Sequence, residues 1–396
     1  MSQNDDVVIT GIGLVSSLGE GTGAHWQTLT APLPRPVLDE TRFQPYVVHP
    51  LPPIDWSMQI ARRGDQRQME TWQRLGTYAA GLALDDAGVK ADEALCSSMD
   101  MVVAAAGGER DEEVDARILQ ASESRNDREV LLNERLTTEL RPTLFLAQLS
   151  NLLAGNISIV HKVTGSSRTF MGEEGAGVSA VETAAARIRS GQSTHMLVGG
   201  AFQTEHHDML IGYELGGYLH RGPWRPVWER QGFAGGGVVS GSGAAFLVLE
   251  ARSHAARRAR TPYARLERVV SDRIRRSQDD LAGGIASLAR SVAGDRTPGL
   301  LTLSGASGAH AATRAEKQAL DGLGLTVRGL SSLTGHLKEA QFPFAVALAA
   351  LAVSKRQAYP PFDPAAETPF AGRPESVIAT TVGYHQFEGM ALVSGA

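Results

Sequence analysis

The sequence holds one cysteine, Cys96, among its 396 residues. That excludes an intrachain disulfide and a cysteine-rich zinc site, and it suits a reducing compartment. There is no basic excess: 38 Lys and Arg stand against 43 Asp and Glu, a net charge of -5. Nucleic acid is therefore not expected as a main partner, because phosphate binding needs a positive surplus. No apolar run reaches the ~18–20 residues that span a bilayer. The opening Met-Ser-Gln-Asn-Asp-Asp lacks the basic start and apolar stretch of a signal peptide. A cytoplasmic protein without a membrane span is expected. Disorder is excluded too, since 42% of residues are apolar and 20% charged. The length allows roughly two to four ordinary domains or one large intertwined one.

Glycine is abundant: 43 residues, against a usual share of about 7%. Many glycines flank short apolar runs, where a strand turns sharply into a loop or helix. The runs are Val7–Ile9, Met101–Ala104, Met196–Val198, Ala244–Leu249, Leu300–Leu303 and Val377–Ala379. Their continuous apolar character predicts strands buried on both faces. Between them lie helical patterns: Trp72, Leu75, Ala79 and Leu82 draw one stripe, and Gly175–Ser190, Arg314–Gly322 and Phe342–Ser354 read as helices. Strand and helix alternate, so the class is α/β with largely parallel sheets. Ser376–Thr381 and Gly389–Ser394 read as a hairpin around 382–388. Pro32–Pro53 reads as an ordered surface excursion. Arg252–Arg276 carries nine arginines and reads as a solvated helix and strand face, with docking of an acidic partner as the alternative.

The inventory of reactive side chains is thin. Cys96 precedes Ser97 and Ser98 in a loop, with no histidine near it in sequence, and reads as filler rather than a nucleophile. Glu205-His206-His207-Asp208 has ligand chemistry but no second cluster at a metal-site spacing, so no metal is expected. Gly235-Gly236-Gly237 precedes a strand, which makes it a poor phosphate loop. Glu173-Glu174 lies between Gly172 and Gly175 directly before a helix, where a helix N-terminus favours anions. By itself the pair reads as an ordinary charged first turn.

Four stretches in consistent order resemble the β-ketoacyl-[acyl-carrier-protein] synthases of thiolase-like fold. Val8–Gly19 resembles their opening strand and loop, and Met196–Ala201 the strand after the nucleophile helix. Gly241–Glu250 resembles the strand closing the first half, and Leu333-Thr334-Gly335-His336-Leu337 the motif of a catalytic histidine. The resemblance implies two similar βαβαβαββ halves, 7–250 and 251–396, stacked as five layers (αβαβα). The family condenses acyl chains with malonyl carrier protein through a cysteine and two histidines. The cysteine holds the acyl chain as a thioester, and the histidines assist decarboxylation and hold the thioester oxygen. Counting back from Gly199 and from Gly177 reaches the same residue, so the nucleophile position is Glu174. The first histidine falls on Gly305, in a register fixed by Ala315–Ala319; His310 needs a shifted register and is taken as non-catalytic. The family's lysine falls on Ser331 and its glutamate downstream of the second histidine on Ala345. The glycine-rich gating loop reads Gly383, Tyr384, His385, Gln386, Phe387 and Glu388. Only His336 is retained.

Loss of the cysteine together with its supports implies no active catalytic set. The chain resembles the cysteine-less chain-length-factor type of homologue, a non-condensing subunit that pairs with an active ketosynthase and shapes the acyl tunnel. The helix opening Gly64–Ala79 resembles a narrower group, the second ketosynthase homologue encoded with the carrier protein for very-long-chain acyl groups of lipid A. The alternatives are a malonyl-carrier-protein decarboxylase and a stand-alone protein that binds an acyl chain or its carrier. The implied partners are an active ketosynthase, an acyl carrier protein and the acyl chain, in a hetero- or homodimer with Arg168–Met171 at or near the interface. No cofactor is expected. Glu174 and His336 are expected to pair and close the old pocket.

Overall fold

The computed structural model describes residues 5–140, 145–146, 148–276, 280–296 and 299–396; Met1–Asn4 at the start of the N-terminal reading fall outside the described residues. The strands are β1 (Val7–Ser16), β2 (Gly19–Glu20), β3 (Asp100–Ala104), β4 (Ser167–Phe170), β5 (His195–Phe202), β6 (Gly243–Ala251), β7 (Ala264–Asp272), β8 (Leu301–Ser304), β9 (Thr326–Gly329), β10 (Ser376–Val382) and β11 (Glu388–Ser394). Six helices matter for the site: α1 (Thr71–Asp86), α2 (Glu173–Arg189), α3 (His207–Leu215), α4 (Leu281–Ala293), α5 (His310–Gly322) and α6 (Gln341–Lys355).

The strands run in the order β4-β3-β5-β6-β1-β7-β11-β10-β8-β9, with β2 beside β1. The first half reads β4-β3-β5-β6-β1 and the second β9-β8-β10-β11-β7, so both use their strands in the same spatial order. β1 meets β7 over only two residue pairs, Val8–Arg265 and Ile9–Ala264. Two similar sheets therefore join at one corner, leaving room for a helical layer between them.

Burial alternates along the strands. Val102 and Val377 face a central core with α2 and α6, whereas Met101 and Val103 face α1. Ile378 and Leu392 face α4 and α5. This gives helix, sheet, paired helices, sheet, helix: the five-layered thiolase-like fold. From Gln341 to Val353 every α6 residue is buried. Its all-round apolar sequence is what a helix enclosed by two sheets requires. Among the described residues no helix is long and apolar enough to cross a membrane.

The sheets are mixed rather than largely parallel. β3, β4 and β5 are parallel, as are β8, β9 and β10, but β6 runs antiparallel to β5 and β1, and β11 to β10 and β7. A continuous apolar run reports burial of both faces and carries no information on strand direction. Helix starts also differ: α2 begins at Glu173 rather than Gly175, and α5 at His310 rather than Arg314. Cys96 is in a short helix, Glu93–Ser98, not a loop. The arginine-rich stretch forms a helix, Arg252–Arg257, and then β7.

The two central helices touch almost without clearance. A Cβ on Gly177 of α2 would lie 2.5 Å from the Glu339 carbonyl oxygen and 3.0 Å from Pro343 of α6. Gly177→Ala should therefore lower the unfolding free energy by about 1–3 kcal/mol through overpacking. Gly155→Ala, whose Cβ meets nothing closer than 3.7 Å within the helix Leu152–His161, should be neutral or stabilising by about 0.5–1 kcal/mol. Denaturant unfolding of both variants checks the contrast; equal effects would contradict the close crossing.

Candidate active site

Glu173 and Glu174 form the first turn of α2, where the free N–H groups of the helix favour negative charge. They belong to the helix rather than preceding it. The Glu174 side chain is fully buried. Its Oε1 accepts the Tyr384 backbone N–H at 3.0 Å and lies 2.8 Å from Nε2 of His336, also fully buried. The contact expected between these two side chains is thus present. It is close but poorly aligned, and neither Nε2 nor the Glu174 Oε2 has an aligned hydrogen-bond partner among the described residues. The contact lacks the alignment of a linear hydrogen bond.

His336 has a second neighbour. Its Nδ1 lies 2.9 Å from the Tyr213 hydroxyl of α3. Burial first, then the charge of Glu174, holds the Tyr213 phenol well above its ordinary value, so the hydroxyl keeps its proton. A Tyr213 donating to Nδ1 leaves Nε2–H facing the carboxylate. The 383–388 loop completes the enclosure. Tyr384 donates its backbone N–H to Glu174 and its hydroxyl to Glu173, and its ring packs across Tyr213 and Tyr218. Burial and the Glu173 hydrogen bond push its phenol up as well. Phe387 has a left-handed φ of 78° and rests its ring against Gly175. A cavity of about 800 Å³ lies outside this loop, rimmed by Arg273, Arg276, His310, Tyr384 and His385. A smaller one of about 330 Å³ is lined by Phe170, Met171, Glu173, Gln386 and Phe387.

The remaining positions named from sequence fall around this centre. Gly305 follows β8, and its N–H donates to Thr380 O at 2.9 Å. A Cβ there would meet Thr380 O at 2.8 Å and the Gln341 Cγ at 3.0 Å. Gln341 is held by the Leu337 N–H, which its Oε1 accepts at 2.8 Å. The space a side chain at 305 would need is thus occupied by Gln341. Ser331 is buried with its hydroxyl unpartnered among the described residues, and its carbonyl accepts from Arg230 at 3.3 Å. Ala345 is one apolar residue of buried α6. His310 opens α5 and lines the outer cavity. Cys96 is buried against Val89 O, and burial pushes its thiol up, away from nucleophilic character.

Sequence reasoning did not single out Tyr213, Gln341 or Glu339 and used Glu316 only as part of a register marker. Tyr213 had no sequence signal beyond being an aromatic residue on a short helix. Glu339 is buried beside the pair, and burial above all keeps its carboxyl up towards the neutral form. Glu316 is fully buried and accepts from Ser304 at 2.8 Å and Thr380 at 2.5 Å, tying β8 to β10 next to Gly305. A charged residue on the inner face of an otherwise amphipathic helix was its available signal.

Burial raises the Glu316 carboxyl to about 7 from an ordinary 4.5. The folded state then holds this proton more tightly than the unfolded chain. That contribution to stability is full below pH 4.5 and is lost as pH rises through 7. Glu316→Gln should therefore flatten the decline in unfolding midpoint between about pH 5 and 8; parallel curves for both proteins would contradict it. Gly305→His should cost about 1–3 kcal/mol of stability through overpacking, part of it recovered by Gln341→Ala in a double-mutant cycle. Additive effects would mean that Gln341 does not fill the space.

Comparison with known proteins agrees with the architecture. The family model of the β-ketoacyl synthase N-terminal domain matches residues 4–255. The chain is 25% identical over 266 residues to 3-oxoacyl-[acyl-carrier-protein] synthase 2 of Vibrio harveyi, covering 66% of this chain and 61% of that protein. It is 27% identical over 282 residues to the synthase 2 of Rhizobium meliloti, covering 65% and 62%. The matched regions thus span less than two thirds of these relatives. In structure, the ishigamide ketosynthase/chain length factor aligns at a TM-score of 0.78 and 20% identity, over 99% of this chain and 100% of the other. A β-ketoacyl synthase from Burkholderia phymatum aligns at 0.76 and 19%, with the same coverage. A type II polyketide ketosynthase in complex with its acyl-carrier protein aligns at 0.75 and 16%, again over 99% and 100%. The chain belongs to the β-ketoacyl synthase family.

Proposed function

We propose that this chain is the non-condensing subunit of a heteromeric β-ketoacyl-[acyl-carrier-protein] synthase, working in acyl-chain elongation by shaping the tunnel that receives the growing chain. Residues 7–250 and 251–396 are its two ketosynthase-like halves. One observation carries the reading: a buried carboxylate, Glu174, heads α2 with its Oε1 already engaged by the Tyr384 N–H and His336. Transfer of an acyl group to it would form an anhydride, which water cleaves, and a carboxylate attacks thioesters poorly. The chain's one thiol, Cys96, is buried against Val89 elsewhere. Condensation then needs a partner that brings a thiolate, and the substrates arrive on an acyl carrier protein.

The edge of the first sheet supports such a partner. Among the described residues β4 pairs only with β3. Ser167 and Arg168 are exposed, and Met171 beyond the strand is 68% exposed. An unpaired edge strand with an apolar side chain beside it favours strand-to-strand docking. Arg168–Met171 is the proposed contact.

Decarboxylation of malonyl carrier protein is less well supported. Loss of CO₂ leaves an enolate oxygen that needs hydrogen-bond donors. Here the Tyr384 N–H and His336 face Glu174, and Gly305 has no side chain to offer.

Carrier-protein mass spectrometry on this chain alone, the partner ketosynthase alone, and both together tests the proposal. Alone, the chain should neither become acylated nor condense acyl and malonyl groups, and Glu174→Cys should not restore condensation. A missing oxyanion donor by itself costs on the order of 10²–10³ in rate. With the partner, it should change the length of product. Acetyl carrier protein formed from malonyl carrier protein by this chain alone would establish the decarboxylase instead. A chain that stays monomeric at micromolar concentration beside its ketosynthase would leave the binding-protein alternative.

A further inference from the structure

A second cluster of chemically capable side chains lies outside that centre, where the fold brings Glu112 beside His206 and Asp208 of the Glu205–Asp208 run. Glu112 opens the helix Glu112–Ser122, and His206 caps α3, whose first turn carries Asp208. Nδ1 of His206 lies 2.5 Å from Asp208 Oδ1 and 3.0 Å from Glu112 Oε1. One atom from each of the three residues lies within 4.8 Å of the others. We propose that Glu112, His206 and Asp208 form a binding site for a divalent transition-metal ion of the zinc class.

Ligand chemistry comes first. One imidazole and two carboxylates from two helix starts are a donor set that suits zinc and its neighbours, with a water as fourth ligand. The three side chains keep 22%, 38% and 17% of their surface exposed in the order His206, Glu112, Asp208, so an ion and its water can reach them.

Charge is the independent observation. The carboxyl of Glu109, only 5% exposed, lies within electrostatic reach of both His206 and Asp208. Three carboxyl groups thus surround this imidazole. The nearby guanidinium groups are committed elsewhere: Arg110 turns to Asp115 at 2.6 and 2.9 Å and offers Asp208 only its backbone N–H at 3.0 Å, and Arg42 goes to Asp39 and Glu205. Among the described residues neither Glu112 nor Asp208 pairs with an arginine or lysine side chain, so imidazoles alone face the two carboxylates that a bound cation would meet.

Geometry asks for a small adjustment. Zinc at about 2.0–2.2 Å from each ligand needs ligand atoms roughly 3.3 Å apart in a tetrahedron. The contacts at His206 must open by less than about one ångström, and both carboxylates sit on side chains at helix starts rather than in the core. The supports of a metal site are present. The His207 N–H donates to Glu112 Oε1 at 2.7 Å, its Nδ1 lies 2.9 Å from Glu112 Oε2, and the Arg110 N–H orients Asp208. The ion would pin the Glu112 helix to α3, the same helix that presents Tyr213 to His336.

Metal-stripped, tag-free, full-length protein titrated with Zn²⁺ by calorimetry, and with Co²⁺ by visible absorption, tests the site. One equivalent per chain is expected, with four-coordinate Co²⁺ colour. His206→Ala and Asp208→Asn should each weaken binding by about tenfold or more, while His385→Ala, exposed on the gating loop, binds as the wild type does. Thermal unfolding without metal identifies a variant that fails to fold, and Glu112→Gln then takes its place. Absence of saturable binding to the wild-type chain, or wild-type affinity in the folded variants, would overturn the site. Neither result touches the acyl-elongation reading, which rests on Glu174.

Discussion

The constraint on which the site depends is the burial of one carboxylate. An ionised carboxylate taken out of water is costly unless neighbouring groups replace its hydration. Around Glu174 those groups are the first turn of α2, the Tyr384 N–H and the imidazole of His336. Each comes from a different part of the chain, so one side chain gathers α2, the 383–388 loop and the segment around His336. Tyr384 carries the same logic outward through its hydroxyl on Glu173. One buried carboxyl group thus organises the centre of the molecule.

The gating loop is held from both sides. Tyr384 ties it inward to α2, while Arg273 reaches Gln386, and Arg276 pairs with Glu388 and donates to Gly383 O at 3.0 Å from outside. Glu388 is itself buried and accepts the Ile274 N–H at 2.9 Å. Displacing this loop would require breaking contacts of both kinds together. The arginines of the 273–276 segment serve this local role, while Arg265 and Arg296 pair with Glu267 and Arg252 with Asp6.

Sequence patterning made the strands and central helices legible because burial leaves a direct compositional trace. α6 was visible as an uninterrupted apolar helix, and the β10–β11 hairpin by its two runs. β4 and β9, four residues each, left little pattern: Ser167 and Arg168 are polar and exposed, and Arg328 in β9 is fully buried although charged. Strand direction was invisible because it changes neither face's burial. At the site, Glu174 and His336 were found by alignment to family motifs, which place backbone positions. Gln341 above Gly305 and Tyr213 behind His336 were not, because only the fold brings them beside those positions. The Glu112–His206–Asp208 cluster was missed because its members are far apart in sequence, and only the fold brings Glu112 beside the other two.

The close crossing of α2 and α6 has a consequence for substitution at position 174. At Gly177 the helices leave no volume for even a methyl group, yet three residues earlier the side chain at 174 is free to differ in kind, provided that its new polar atoms find partners. The chemistry of position 174 and the packing of the helix that carries it are therefore separable, and a changed side chain there leaves the α2–α6 crossing in place.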